Sequence, residues 1–348
     1  MKLFLFSTAT IIGATIGAGI FALPYVFAQF GFGVSSLILV VSTIILTIIY
    51  QLYGQIILKT SEKHRLVGYA RLYLGKKWEW IILIETIFGY YATSLVYLIL
   101  GGRFLENILG NGNTFWVILF WSIGSILLFW GIRMIAWTEI LFSGLMILLV
   151  GLLFYWGRPE IVWSNFFWLG NSGNLSLLFL SVGVILSSLL SSASIPEAVQ
   201  ILRQGRQEKL SNKSIFGGIF LSSLFYLLFT FTVVGVCGAN TSPDAISGLK
   251  SLLGMKAVWL GSILGFIAVS SSFLVLGIYL RDVFYFDYQI NKHLANWLTI
   301  LPPITLYLLG LRDFVKVLGF SGLFVGIIEG LAIILIYQQA KKRIKNEI

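Results

Sequence analysis

The sequence predicts an all-α polytopic membrane protein. Ten transmembrane helices are expected, in two five-helix halves of opposite orientation, with the first and sixth helices broken. Three observations carry this. The chain is 58% hydrophobic and only 11% charged, where a soluble domain carries about 25% charged residues. Apolar stretches of about 20 residues or more recur from one end to the other, the length a helix needs to cross a bilayer. The basic residues gather in alternate connections, as orientation in a membrane requires.

The spans read as 3–29, 33–58, 78–100, 114–131, 134–156, 174–202, 213–238, 252–281, 294–310 and 314–338. With a cytoplasmic N-terminus, the inner segments hold Lys2, then Lys59, Lys63, Arg65, Arg71, Lys76 and Lys77, then Arg133, then Arg203, Arg206, Lys209 and Lys213, then Arg281 and Lys292, and finally Lys341, Lys342, Arg343 and Lys345. The outer ones hold only Arg103, Arg158, Lys250, Lys256, Arg312 and Lys316. This imbalance places both termini in the cytoplasm and supports an even span count. Trp78 and Trp80 mark one interface and Trp156, Trp163 and Trp168 the other. The stretch from Gly68 to Gly75 has the composition of a short interfacial helix or a solvated basic loop. The chain then divides into a first repeat (1–156), an extracellular connection (157–173), a second repeat (174–338) and a basic tail (339–348) that would meet anionic lipid.

The first span carries the organising motif, Gly13-Ala14-Thr15-Ile16-Gly17-Ala18-Gly19, followed by Ile20 to Pro24. Glycine inside a helix costs about 1 kcal/mol relative to alanine, and proline removes a backbone donor. Lipid offers no partner for groups freed this way, so such a break belongs on a polar cavity. The sixth span breaks too, at Leu190-Ser191-Ser192-Ala193-Ser194-Ile195-Pro196-Glu197. Two breaks at matching places in two five-span halves fit an inverted repeat with the site between them. Half-helix N-termini offer N–H groups to a carboxylate, and half-helix C-termini offer carbonyls to a cation. The competing reading is that the Gly-x-x-x-Gly spacing simply seats a neighbouring helix. Thr15, Gly17, Ala18, Gly19, Ser191, Ser192 and Ser194 are therefore candidate substrate-binding residues. In span three, Tyr90, Ser94 and Tyr97 fall on one face at i, i+4, i+7; Tyr90 and Ser94 join the candidates, and packing is the alternative.

Ala268, Ser271 and Ser272 share one face of span eight and, with the carbonyls of Gly13 and Ile16, could supply five oxygen ligands to Na⁺. Serines in membrane helices also bond their own i−4 carbonyl, which is the alternative. Intramembrane carboxylates need a partner or a wet cavity. Glu197 and Glu329 are the candidates for gating or proton coupling; Glu85 lies near the cytoplasmic edge and Glu139 near Arg133. His64 and His293 fall in loops, and Cys237 is the single cysteine. Without a nucleophile–base pair, a metal cluster or a P-loop, the sequence offers no enzyme and no cofactor beyond a coupling ion, Na⁺ or H⁺. Basic residues distributed by topology argue against nucleic acid as a partner.

The motif from Ile16 to Pro24, with the second break and the serine cluster, resembles the amino acid–polyamine–organocation superfamily. Within it, the chain is most similar to the amino acid/auxin permeases and the bacterial tryptophan/tyrosine permeases. The resemblance implies a LeuT-like five-plus-five fold and amino acid symport by alternating access. It implies that the backbone at Ala18 and Gly19 holds the substrate carboxylate and that Ser191 to Ser194 face the amine and side chain. It also implies that Gly13, Ile16, Ala268, Ser271 and Ser272 match the sodium site of sodium-coupled members, while aromatic permeases of this kind are proton-linked. An eleventh span found in many aromatic permeases has no counterpart after residue 338. The expectation is an ion-coupled amino acid transporter in the cell membrane, a monomer or weak homo-oligomer. A non-transporting amino acid sensor on the same fold is the alternative.

Overall fold

Long apolar segments form helices here because a helix satisfies all of its backbone groups within one segment, as lipid requires. The computed structural model describes residues 2–346 apart from 61, 113, 131–135, 168–169 and 172, with the backbone alone at 136–143, 286–287 and 344–346. The expectations placed on Arg133, Trp168 and the Glu139 side chain lie outside the described residues. Thirteen α-helices are described: α1 (Lys2–Thr15), α2 (Gly19–Phe30), α3 (Phe32–Lys59), α4 (Leu66–Leu74), α5 (Lys76–Leu109), α6 (Thr114–Trp130), α7 (Ala136–Gly157), α8 (Leu175–Leu189), α9 (Ile195–Gln204), α10 (Ser211–Cys237), α11 (Lys250–Asp282), α12 (Lys292–Leu308) and α13 (Phe314–Asn346).

These make the ten expected spans. Among the described residues, six helical stretches are each long and apolar enough to cross a membrane, including the broken pair α8 and α9. The pair α1 and α2 crosses with a 62° bend at its break; α6, α7 and α12 complete the set. The interfacial segment after α3 is helical as α4, and its Tyr73 hydroxyl meets Thr60 Oγ1 at 2.9 Å. The chain ends share one face: Leu3 lies against Gly205 after α9, and Arg343 sits 5.4 Å over the Tyr73 ring.

Two boundaries differ from expectation for identifiable reasons. Span three does not stop at residue 100. Gly101 and Gly102 are seats for Phe120 and Val117 of α6, so the helix continues through them to Leu109. The proline of the first motif does not mark the break either. Pro24 sits inside α2, whereas the backbone departs from helix at residues 16–18. Pro196, by contrast, stands at the start of α9, where its missing N–H costs nothing. The basic cluster Lys341, Lys342 and Arg343 lies on the last turns of α13.

Close packing on the far face runs through small residues, because hydrocarbon supplies no hydrophobic drive between helices. A Cβ on Gly183 of α8 would fall 1.9 Å from the Gly319 carbonyl oxygen of α13. One on Gly322 would fall 2.0 Å from the Gly183 oxygen. Phe21 of α2 closes the same side against Phe104 at 4.9 Å and Phe229 at 6.4 Å between ring centroids.

Candidate functional site

The two helix breaks meet. A Cβ on Gly19 would lie 2.3 Å from Ser188 Oγ, so α2 and the end of α8 touch only because residue 19 has no side chain. The phenol of Tyr226 on α10 caps both breaks: it is hydrogen-bonded to the Thr15 carbonyl and lies 2.9 Å from the Ser188 carbonyl. These are carbonyls that the interrupted helices leave without their usual partners. Thr15 spends its own hydroxyl on the Ile11 carbonyl at 2.7 Å.

Beside this junction is a cavity of about 260 Å³. Its wall includes Thr15, Gly17, Ala18 and Gly19 from the first break and Ser188, Leu190, Ser191, Ser192 and Ala193 from the second. The α2 side of the first break is bonded only through Ile20 N to Gly17 O and Phe21 N to Ala18 O. Among the described residues, the amides of Gly17, Ala18 and Gly19 have no backbone acceptor. They stand at the positive end of α2, the arrangement that receives an anion. Across from them, Ser191 Oγ is buried and makes no hydrogen bond within the described chain. The Ser191 amide is fixed by the Tyr50 hydroxyl at 3.1 Å.

Carboxyls supply the opposite polarity. Glu329 of α13 is buried, lines the cavity and accepts a 2.9 Å hydrogen bond from Ser192 Oγ. Tyr50 stands beside it. Glu85 of α5 is also buried in the cavity wall, close enough to Glu329 for their charges to interact. Carboxyls at this depth are costly unless they serve a wet cavity.

The structure gathers most of the sequence candidates but not all. Thr15, Gly17, Ala18, Gly19, Tyr90, Ser191, Ser192 and Glu329 share the cavity wall. Ser194 is buried beside the second break and bonds the Ser191 carbonyl at 2.7 Å. Ser94 is buried one position round α5 from the wall, which follows Thr86, Gly89, Tyr90, Thr93 and Tyr97. Glu197 is exposed and lines a second space of about 1240 Å³ on the face of the chain ends. Gly13 and Ile16 lie on or just after α1, and Ala268, Ser271 and Ser272 on α11; none of the five lines the cavity. α1 packs mainly on α7, α9 and α10, and α11 mainly on α5 and α7. Sequence reasoning missed Tyr226, Tyr279 and Arg65 as parts of the site, and passed over Glu85. Only Glu85 carried a signal, being a carboxyl inside a span.

Comparison with known proteins agrees with this geometry. The tryptophan/tyrosine permease family profile matches residues 1–348. Glutamine transporter 2 of Aliivibrio fischeri is 24% identical over 333 residues, covering 92% of this chain and 85% of that protein. The low affinity tryptophan permease of Escherichia coli K12 is 25% identical over 372 residues, covering 97% and 87%. Among solved structures, Mhp1, a nucleobase-cation-symport-1 family transporter in a closed conformation with bromovinylhydantoin bound, superposes with a TM-score of 0.67. It is 12% identical, over 94% of this chain and 76% of that one. MhsT in complex with L-phenylalanine superposes with a TM-score of 0.61 and 16% identity, over 94% and 87%. Their shared fold is the LeuT-like arrangement.

Proposed function

This chain belongs to the tryptophan/tyrosine permease family, and from that premise we propose that it is a proton-coupled symporter of a neutral L-amino acid. That it is an integral membrane amino acid transporter rather than an enzyme follows from the family and its relatives. The observation supporting the finer reading is the meeting of the two breaks at one cavity. The amides of Gly17, Ala18 and Gly19 receive the substrate carboxylate. The hydroxyl of Ser191 and the carbonyl ends of the second break receive the amine. A cavity of about 260 Å³ lies just under the ~300–1,000 Å³ range of small-molecule sites, a size for one amino acid. Glutamine and tryptophan in the names of relatives, and phenylalanine in MhsT, support a neutral substrate.

The coupling group is Glu329, because it bonds the second break through Ser192 and can bind or release a proton where the substrate amine sits. The oxygen set at Gly13, Ile16, Ala268, Ser271 and Ser272 is the corresponding proposal for Na⁺; it has no contact with the cavity to support it. The basic connections orient the face of the chain ends toward the cytoplasm. One chain contains the whole site, so a monomer suffices.

The test is uptake of a labelled amino acid mixture into proteoliposomes, with a pH gradient and a Na⁺ gradient imposed separately. Accumulation driven by the pH gradient, and lost in Glu329→Gln, is the expected result. Accumulation driven by Na⁺ alone, and lost in Ser271→Ala, would overturn the proton assignment. Saturable binding with no accumulation under either gradient would leave the protein a sensor.

A further inference from the structure

The central cavity and the larger space on the face of the chain ends are neighbours with a common wall. Six residues line both: Arg65, Val67, Thr86, Ala193, Pro196 and Tyr279. Within that wall the Arg65 guanidinium carbon lies 4.1 Å over the centroid of the Tyr279 ring. The Tyr279 ring in turn lies 5.0 Å from the Tyr90 ring, tilted by 33°. The three groups come from different elements: Arg65 from the residue before α4, Tyr279 from α11 and Tyr90 from α5. Tyr90 lines the central cavity and not the outer space. The stack therefore crosses the neck from one side to the other.

We propose that the Arg65–Tyr279–Tyr90 stack is the gate that closes the substrate cavity toward the face of the chain ends. This rests on the reading of the central cavity as the substrate cavity. A flat, always charged guanidinium suits the place, since it stacks on a ring face and keeps its N–H groups toward water. Arg65 is exposed on the outer side, so it can swing into the outer space without leaving a buried charge unpaired. Opening then begins by breaking a side-chain stack. Release of substrate needs only that α4 and the start of α5 shift relative to α11.

The experiment measures thiol accessibility and needs no substrate. In a Cys237→Ala parent, a single cysteine replaces Thr93, which lines the central cavity only, or Gln200, which lines the outer space only. A membrane-impermeant cationic methanethiosulfonate is added to the face of the chain ends in oriented vesicles. Gln200→Cys reacts fast in every background, which also reports folding. Thr93→Cys reacts at least tenfold more slowly in the parent and gains at least tenfold in Arg65→Ala and in Tyr279→Leu. The second variant keeps the arginine charge, so electrostatic attraction of the reagent does not explain its gain. Tyr279→Phe keeps the ring but not the phenol, and gains less than Tyr279→Leu. Equal rates for Thr93→Cys and Gln200→Cys in the parent, or an unchanged Thr93→Cys rate in both gate variants, would overturn the proposal. Uptake by the Cys237→Ala parent is measured in the same vesicles. A gated thiol in a chain that accumulates nothing would sink the transport reading and leave the neck closure intact.

Discussion

Gly19→Ala and Gly17→Ala, two residues apart in one motif, should fail differently. The methyl of Gly19→Ala would arrive 2.3 Å from Ser188 Oγ, 2.7 Å from Ser188 Cβ and 2.8 Å from Ser188 Cα. Ordinary van der Waals separation begins at 3.4 Å, so α2 and α8 must part by roughly 1 Å. Rotating the serine side chain does not help, because its backbone is also in the way. Overpacking of this kind costs about 1–3 kcal/mol, which makes the arrangement seen here about 5–150-fold less favourable. The methyl of Gly17→Ala would meet only the Tyr97 hydroxyl, at 3.6 Å. The assays are thermal unfolding in detergent and initial uptake in proteoliposomes. Gly19→Ala lowers both the melting midpoint and the maximal rate. Gly17→Ala keeps the midpoint and raises KM, because its methyl projects into the carboxylate site. Adding Ser188→Gly to Gly19→Ala removes the two nearest clashing atoms and restores part of the rate. A Gly19→Ala protein with wild-type midpoint and uptake, or a Gly17→Ala protein melting as low as Gly19→Ala, would refute the steric argument.

Other variants test other parts of the site. Tyr226→Phe removes the donor shared by the Thr15 and Ser188 carbonyls and should cost about 1–3 kcal/mol, visible as a lower melting midpoint. Ser192→Ala removes the 2.9 Å bond to Glu329 and should displace the pH profile of uptake, while Ser192→Thr retains it; identical profiles for all three proteins would show that this bond does not tune the carboxyl. Gly183→Ala puts a methyl 1.9 Å from a backbone oxygen, where nothing can yield, so α8 and α13 separate. Its Thr93→Cys derivative should then react from the far face faster than the parent.

The sequence made the broken helices legible because breaking a helix in lipid takes recognisable residues. The second break falls where Ser191 and Pro196 place it. The first falls at residues 16–18 and not at Pro24, which lies inside α2. Span order also disclosed the fold, since five spans per half force an inverted repeat. The cavity wall on α5 was legible only in part. Spacing from Tyr90 allows either Thr93 or Ser94 as the next residue on that face, and the structure places Thr93 on the wall. The partnership of Arg65 with Tyr279 was not legible at all. It joins positions far apart in the chain, and it exists only because the segment before α4 folds back under α11. On α11 the expected ion ligand Ser272 lies one turn before Leu276, and it is Leu276 that lines the cavity.

The two ends of the cavity are closed by different physics, and this bears on the direction in which the protein opens. Toward the far face the closure is helix against helix. Gly19 lies on Ser188, and Gly183 packs backbone to backbone against Gly319 and Gly322, while Phe21 is wedged against Phe104 and Phe229. Parting those surfaces forfeits many small dispersion attractions at once. Toward the face of the chain ends the closure is a stack of three side chains, and a cation–π pair at an exposed site is worth only about 0.5–1 kcal/mol. On the gate proposed above, the side-chain closure is the one that opens first from the arrangement described here. Glu329 lies beside the junction with Ser192, so the charge it carries bears on the second break, whose residues Ala193 and Pro196 belong to the common wall. Under the proton coupling proposed above, a carboxyl that changes protonation there would act on the residues that share the proposed gate, which would give proton binding a physical route to the opening of the cavity.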